Sequence, residues 1–503
     1  MTTTYLSSND ISSAANGNTF ALAAQYDSLI VAPGVDLVSA NNDAVSTTFS
    51  GNTIINSGQV FGYSNAIVSS YYGYGYPQLS ITNEATGSII GIAGAIFVGG
   101  DALFLNNYGS ISTPSNDFAI ESQGQSAIWN YGTITGGFFD YDGTASDLNF
   151  FYNSGTLSAY TYGVGAPSAS SAYYGGQANK ELLDNVGSII GSISLSSAAG
   201  DGIYNSGSIT GNVTLGSGAG QFFQSSWGTI TGSVTCSIGG DTVIAGQTGG
   251  TVTGGGGNDV LYANPTQTAA NNAAQTILDG KGGNNWEFGD GAFTTFDSGD
   301  NSAGTYNLLY GGASEMADVA GYSNNTVSYA TMPSAYKSAY IDLKDGYTYM
   351  STNAHAVSAT SSQLVFEDYL YNIPNVITSS GSDVVICDSG VDKITVGTGN
   401  VGGDVLYAGT GAASQDTFAF TSLSQSPDAN AAAIEGFKIG VDKIDLSALN
   451  LPSADIGIVY AGNGYSSILV EKNPSAGFNL ATDMLISVAA STSAALTFKD
   501  LIL

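Results

Sequence analysis

The sequence predicts an all-β chain: a right-handed parallel β-helix, or solenoid, followed by a parallel β-roll. Three observations carry this expectation. A five-residue unit, N-x-G-[ST]-[IL], recurs through the N-terminal half. Turns of the form G-x-D-x-U, with U a large apolar residue, recur through the C-terminal half. Helix signals are sparse, and the alanine-rich segment 429–433 is the clearest candidate. The expected division is a solenoid over 1–236, a first roll over 237–310, an intermediate β segment over 311–376 and a second roll over 377–503.

The N-terminal unit appears as Asn107–Ile111, Asn130–Ile134, Asn153–Leu157, Asn185–Ile189 and Asn205–Ile209, with weaker copies at Asn56–Gly58 and Trp227–Ile230. Its glycines at 109, 132 and 155 are 23 residues apart, and those at 187, 207 and 228 are 20 and 21 apart. A second short alternating segment follows several copies, as in Gly191–Leu195, Gly211–Leu215 and Gly232–Cys236. Short period-two strands, repeated at about 20 residues, are the signature of a solenoid in which each repeat is one coil. Asparagine is expected at the corners because it tolerates left-handed backbone.

The C-terminal turns carry chemistry. Gly254–Tyr262 reads G-G-G-G-N-D-V-L-Y, which fits the calcium-binding nonapeptide G-G-x-G-x-D-x-U-x at every fixed position. Glycines permit the tight turn, and Asp259 supplies a hard oxygen ligand of the kind calcium prefers. Gly239-Gly240-Asp241-Thr242-Val243 ends in the same core, with Asp241 eighteen residues before Asp259. If one coil is two nonapeptides, the two carboxylates stack one coil apart. The pattern returns at Asp383, Asp392, Asp404 and Asp416, spaced by 9, 12 and 12. Each twelve-residue interval carries Gly-Thr-Gly, read as a three-residue insertion. Asp279–Asn284 reads as a worn copy with asparagine in place of the ligand. The candidate metal ligands are therefore Asp241, Asp259, Asp383, Asp392, Asp404 and Asp416, with the turn backbone at Gly239, Gly254 and Gly256.

These residues resemble the RTX repeats of proteins exported by the bacterial type I route. Asn325–Ala330 and Tyr340–Leu343 resemble the segment that often precedes such repeats. Ile434–Phe437 and Gly440–Leu449 resemble the C-terminal secretion module of serralysin-type exoproteins. The ending Phe498–Leu503, an acidic residue followed by apolar ones, resembles the uncleaved type I signal. The resemblance covers about the last half of the chain. It implies calcium as cofactor, the type I apparatus as a partner during export, and an extracellular location.

Composition excludes other classes. The net charge is −31, with 40 acidic residues against 9 basic ones, and arginine is absent. Nucleic-acid binding needs a basic footprint that this chain lacks. Hydrophobic residues make up 43% and charged ones 10%, enough apolar surface for a large core, so the acidity is not a sign of disorder. No apolar run is long enough to span a membrane, and the first residues lack the charged and apolar regions of a Sec signal peptide. Cys236 and Cys387 are read as two buried free thiols.

An enzyme is not expected. Parallel β-helices host polysaccharide lyases and epimerases, but the lyases often use a basic residue that includes arginine. The single histidine, His355, lies outside the solenoid repeats, and H-E-x-x-H needs two histidines. Paired carboxylates could hydrolyse glycosides, but with 40 acidic residues some pairs fall close by chance. The tyrosine-rich segment Tyr71, Tyr72, Tyr74 and Tyr76 is either an assembly or glycan contact or a loop packed on the solenoid. Together these point to a secreted, calcium-dependent structural protein that self-assembles on the bacterial surface, resembling Gram-negative S-layer proteins. The expected partners are further copies of the chain and possible cell-surface polysaccharide or lipopolysaccharide. The alternatives are an RTX adhesin or biofilm-matrix filament and, behind them, a polysaccharide lyase or epimerase.

Overall fold

The computed structural model describes the chain except for residues 13–18, 71–77, 101, 141–147, 160–170, 176–179, 196, 247–248, 264–274, 290–293, 299–304, 313–324, 357–359, 361, 398–402, 413, 473–478 and 480–482. Tyr71, Tyr72, Tyr74 and Tyr76 lie outside the described residues. The chain is nearly all β and forms two compact units, Met1–Thr253 and Gly254–Leu503.

The first unit is a three-sided parallel solenoid. Each coil contributes one strand to each of three sheets, as Ala102–Asn107, Ser110–Ser112 and Ile120–Ser122 do, and the strand pairings among the described residues of this unit are parallel. Apolar residues at equivalent places stack into columns. One runs Leu29–Ile54–Ile81–Leu105–Ile128–Phe151 up the first sheet. A second runs Ile89–Ile111–Ile134–Leu157–Ile189–Ile209 up the second sheet. All of these side chains are fully or almost fully buried. Each contributes about 1.5–3 kcal/mol relative to exposure.

The N-x-G-[ST]-[IL] unit is one corner of this solenoid, and each position has a distinct physical role. The asparagine ends a strand of the first sheet with its amide buried. Nδ2 donates to the Oδ1 of the asparagine one coil on, along Asn56, Asn83, Asn107, Asn130, Asn153, Asn185 and Asn205, at 2.7–2.9 Å. Asn205 passes the ladder to Ser225 Oγ at 2.8 Å. None of these asparagines has a positive φ. The expected left-handed corner is thus corrected: asparagine is required for its side chain, which both donates and accepts, and not for its backbone freedom.

The glycine is a contact point between coils. A Cβ on Gly132 would lie 2.1 Å from the carbonyl oxygen of Gly109, and one on Gly155 would lie 2.0 Å from that of Gly132. The next residue donates its N–H to that same carbonyl, Thr133 to Gly109 at 2.9 Å and Thr156 to Gly132 at 2.8 Å. The Ile or Leu enters the column of the second sheet. The variable position faces outward, and Tyr108 stacks on Tyr131 with ring centroids 4.9 Å apart.

The second unit is two-sided. Strands alternate between a sheet containing Val384–Ile386 and Val405–Tyr407 and a sheet containing Lys393–Thr395 and Thr417–Ala419. Its columns are Val385–Leu406–Ile434–Val488 and Val376–Ile394–Phe418–Ile444. Two antiparallel insertions interrupt the parallel order. Tyr347–Ser351 pairs with Ser338–Asp342 and with Leu364–Tyr371, and Tyr465–Val470 pairs with Ile456–Gly462 and with Met484–Ala490. The alanine-rich stretch 429–433 begins in a single 3-10 turn, Asp428–Asn430, and passes into a strand, Ala432–Phe437, with no α-helix. Tertiary pairing overrides alanine's helical preference there: Ala432 and Ile434 face the core while the backbone pairs on both sides.

Asn130→Ala should destabilise the protein by about 2 kcal/mol or more in denaturant titrations, because it orphans the buried amide of Asn107 and the carbonyls of Asn153 and Thr156. An unchanged midpoint would show that the ladder carries no stability.

Candidate metal centre

Each candidate aspartate opens a strand at the end of a glycine turn. Two kinds of carboxylate bond recur, one to the aspartate's own turn and one to a backbone N–H of the preceding coil, and Asp241, Asp383 and Asp416 make both. Asp392 Oδ2 accepts from Asp388 N at 2.8 Å, Asp259 Oδ2 from Gly255 N at 2.8 Å, and Asp241 Oδ2 from Ser237 N at 2.8 Å. Asp383 Oδ2 accepts from Ser379 N at 2.6 Å. The second bond links coils. Asp383 N donates to Asp404 Oδ1 at 3.0 Å, Asp392 N to Asp416 Oδ1 at 3.3 Å, and Asp416 N to Asp442 Oδ1 at 3.1 Å.

The aspartates therefore form two columns in the second unit. Asp383 and Asp404 open strands of one sheet, while Asp392, Asp416 and Asp442 open strands of the other. Nonapeptide neighbours such as Asp383 and Asp392 are on opposite sheets. Stacked partners are 21, 24 and 26 residues apart. The eighteen-residue coil expected from two nonapeptides is lengthened by insertions in the turns. Asp241 belongs to the first unit, where its Oδ1 accepts from Gln221 N at 3.1 Å, and Asp259 belongs to the second.

The turn glycines are placed for close stacking. A Cβ on Gly254 would lie 2.2 Å from Gly280 O, and one on Gly239 would lie 2.5 Å from Gly218 O, while Gly256 is exposed. The carbonyl of Gly255 accepts from Gly282 N at 3.1 Å. In the worn copy the aspartate position is held by Asn285 and not Asn284. Asp259 N donates to Asn285 Oδ1 at 2.9 Å, and Asn285 Nδ2 donates to Asn307 Oδ1 at 3.0 Å. A one-residue slip hid this because the register pairs Val260 with Trp286.

Asp442 was missed as a member of the column. Its signal was present, since Gly440–Ile444 has the G-x-D-x-U form. Cys387 was also missed. Its Sγ and a carboxylate oxygen from each of Asp392 and Asp416 lie within 4.8 Å of one another, all three residues being buried. Both cysteines are buried and neither forms a disulfide. His355 is exposed, with its Nδ1 2.9 Å from Ser382 Oγ.

Electrostatics follow from burial. Asp392 is pushed up to about 8, first by burial and then by the Asp388 and Asp416 carboxylates. Its Oδ1 has no hydrogen-bond partner. Asp383 is pushed up to about 6 by burial, against the hydrogen bonds it accepts from Ala339 and Ser379. The Cys387 thiol is pushed up by burial and by the same carboxylates. A carboxylate only accepts hydrogen bonds, so a stack of them gathers negative charge that a proton or a cation must offset. The orphaned oxygen of Asp392 fits a divalent cation, and the carboxylates of the other turns are the hard oxygen donors that suit calcium.

A separate buried carboxyl, Asp368, accepts from Ser298 Oγ at 2.6 Å and Tyr329 OH at 3.0 Å, and burial pushes it up to about 6. Its folded pKa exceeds the unfolded value of about 3.9. Its stabilising contribution is therefore complete below pH about 4 and is lost as pH rises through about 6. Stability measured from pH 4 to 7 should fall more steeply in the wild type than in Asp368→Asn; parallel curves would contradict the assignment.

The sequence profile of the peptidase M10 serralysin C-terminal family matches residues 369–499, which include four of the six candidate aspartates and Asp442. The match is to the non-catalytic part of such peptidases and supports a secreted, RTX-type C-terminal module. No curated protein matches the chain.

Proposed function

We propose that the chain is a secreted, calcium-dependent structural protein that assembles with copies of itself on the bacterial cell surface, as an S-layer protein does. The observation that carries this reading is the stack of buried aspartates in a module similar to the serralysin C terminus. Asp383, Asp392, Asp404 and Asp416, and the turns of Asp241 and Asp259, are the residues that would hold calcium. Export by a type I apparatus fits that reading, because the repelling carboxylates disfavour the folded roll where calcium is scarce. An affinity of about 10⁻⁴ to 10⁻³ M, as in extracellular modules, keeps the roll empty inside and loaded outside. At free calcium about ten times its dissociation constant, each ion adds about 1.4 kcal/mol to stability.

The first unit supports assembly. The outward position of its corner repeat carries Tyr108, Tyr131, Val186 and Trp227, exposed by 46, 43, 43 and 67%. These apolar groups, interrupted at the same place by Ser154 and Ser206, give one corner a repeated surface that suits contact with another copy. The same stacked rings would suit a carbohydrate surface, which is the adhesin reading. Cell-surface polysaccharide or lipopolysaccharide would then be the ligand and not only an anchor.

Millimolar calcium should raise the melting temperature of the wild type, and Asp416→Asn should lose more than half of that rise while the half-exposed Asp445→Asn keeps it. Equal rises in all three proteins would remove the aspartate column from calcium binding. Calcium should also drive lattices or filaments visible by electron microscopy, which sodium chloride at equal ionic strength should not, because monovalent salt screens but does not bridge. A calcium-loaded protein that stays monomeric by light scattering and binds a glycan would favour the adhesin.

A further inference from the structure

The two cysteines occupy the same place in the repeat. Cys236 stands five residues before Asp241, and Cys387 stands five before Asp392. In the turn preceding Cys387 that place is held by Thr378, five before Asp383. Thr378 Oγ1 donates to Asp404 Oδ2, one coil on, at 3.0 Å. The side chain at this place therefore points at the carboxylate of the next coil. Cys387 puts a sulfur there, among the buried carboxylates of Asp392 and Asp416, with all three ligand atoms within 4.8 Å of one another.

A threonine settles such a site with a hydrogen bond, and the Asp404 carboxylate is met in that way. The cysteine site is not settled in that way. Asp392 is 1% exposed, yet its Oδ1 has no partner. Asp416 has both oxygens occupied, by Asp392 N, Gly409 N and Ser414 Oγ, and these bonds hold its carboxylate in a fixed orientation. Asp388 brings a further carboxylate beside Asp392. One thiol and two buried carboxylates, with the half-buried Asp388 beside them, differ from the all-oxygen set that calcium selects. Thiolate with carboxylate suits a borderline or soft divalent ion, with metal–sulfur distances of about 2.3 Å and metal–oxygen distances of about 2.0–2.2 Å. The three ligand atoms, all within 4.8 Å of one another, are close enough for one ion to draw them together.

We propose that Cys387, Asp392 and Asp416 form a binding site for a thiophilic divalent cation of the zinc class, distinct in selectivity from the calcium turns. Binding forms a metal–sulfur bond, and the thiol proton leaves to solvent. The site shares Asp392 and Asp416 with the calcium reading but does not depend on calcium binding elsewhere in the roll.

The test uses the full chain carrying Cys236→Ser, so that Cys387 is the sole thiol, with cadmium as the probe in millimolar calcium. One equivalent of cadmium should produce the ultraviolet charge-transfer band of a cadmium–thiolate bond and protect the thiol from a thiol reagent. Adding Cys387→Ser should abolish the band, and Asp392→Asn should weaken cadmium binding by roughly tenfold or more. Circular dichroism checks that each variant folds. Should one fail to fold, cadmium protection of the thiol in the Cys236→Ser protein decides alone. Cadmium uptake without the band would show an oxygen-only site and overturn the proposal, as would an unprotected thiol. Calorimetry of calcium uptake by the same protein reports the calcium reading separately. A band without calcium uptake overturns that reading and leaves this one standing.

Discussion

The interaction on which the rest of this structure depends is the bond between one corner side chain and its counterpart one coil away. A solenoid buries its corners against one another, so a polar group there has no water to turn to. The asparagine ladder answers this with one residue type. Each amide donates to the next and accepts from the last, so a column from Asn56 to Asn205 satisfies itself. The ladder also fixes register, because a slip of one residue would bury an unpaired amide at every step. The glycine contacts and the isoleucine columns follow from that register.

The aspartate columns use the same geometry with a different chemical balance. Aspartate accepts but does not donate, so the link between coils is made by a backbone N–H, as from Asp392 to Asp416 and from Asp416 to Asp442. Side-chain acceptors accumulate and negative charge is buried with them. Where a hydroxyl stands nearby, as Thr378 does for Asp404, an oxygen is met locally. Where it does not, as at Asp392, the folded state draws on a proton or a cation. The N-terminal unit is thus held by a ladder that needs nothing from outside, and the C-terminal unit by columns that gain from an ion. That difference is the physical basis for the proposal that the final folding of the chain is tied to the calcium of its surroundings.

The outward positions carry the other half of the functional argument. A solenoid repeats its surface at every coil, so a side chain at one outward place becomes a row. Tyr108 and Tyr131 stack in such a row in the first unit. In the second unit Tyr262, Phe288, Tyr310 and Tyr371 stack with centroids 4.7–4.9 Å apart, but there Phe288 and Tyr310 are buried and the row serves packing. Such rows are rigid at little entropic cost, a property useful to a lattice contact or to a glycan surface.

The sequence by itself determined the fold class, the corner repeat and the aspartates that open each strand. These features are written in local patterns: alternation of period two, glycine where coils touch, and G-x-D-x-U at the turns. Only the tertiary structure decided what the corner asparagine is for, since its role appears when residues 20 to 32 apart are brought together. It also decided the coil length, because turns take insertions that a nonapeptide count does not see. Asn285 takes the ladder place beside Asn284, and Asp442 joins Asp392 and Asp416, through the pairing of strands distant in sequence. The antiparallel insertions at 338–371 and 456–490 and the meeting of Cys387 with two carboxylates have the same origin. Local chemistry sets which residues can open a strand or line a core; the register between coils, fixed by buried hydrogen bonds over long separations, sets which of them meet.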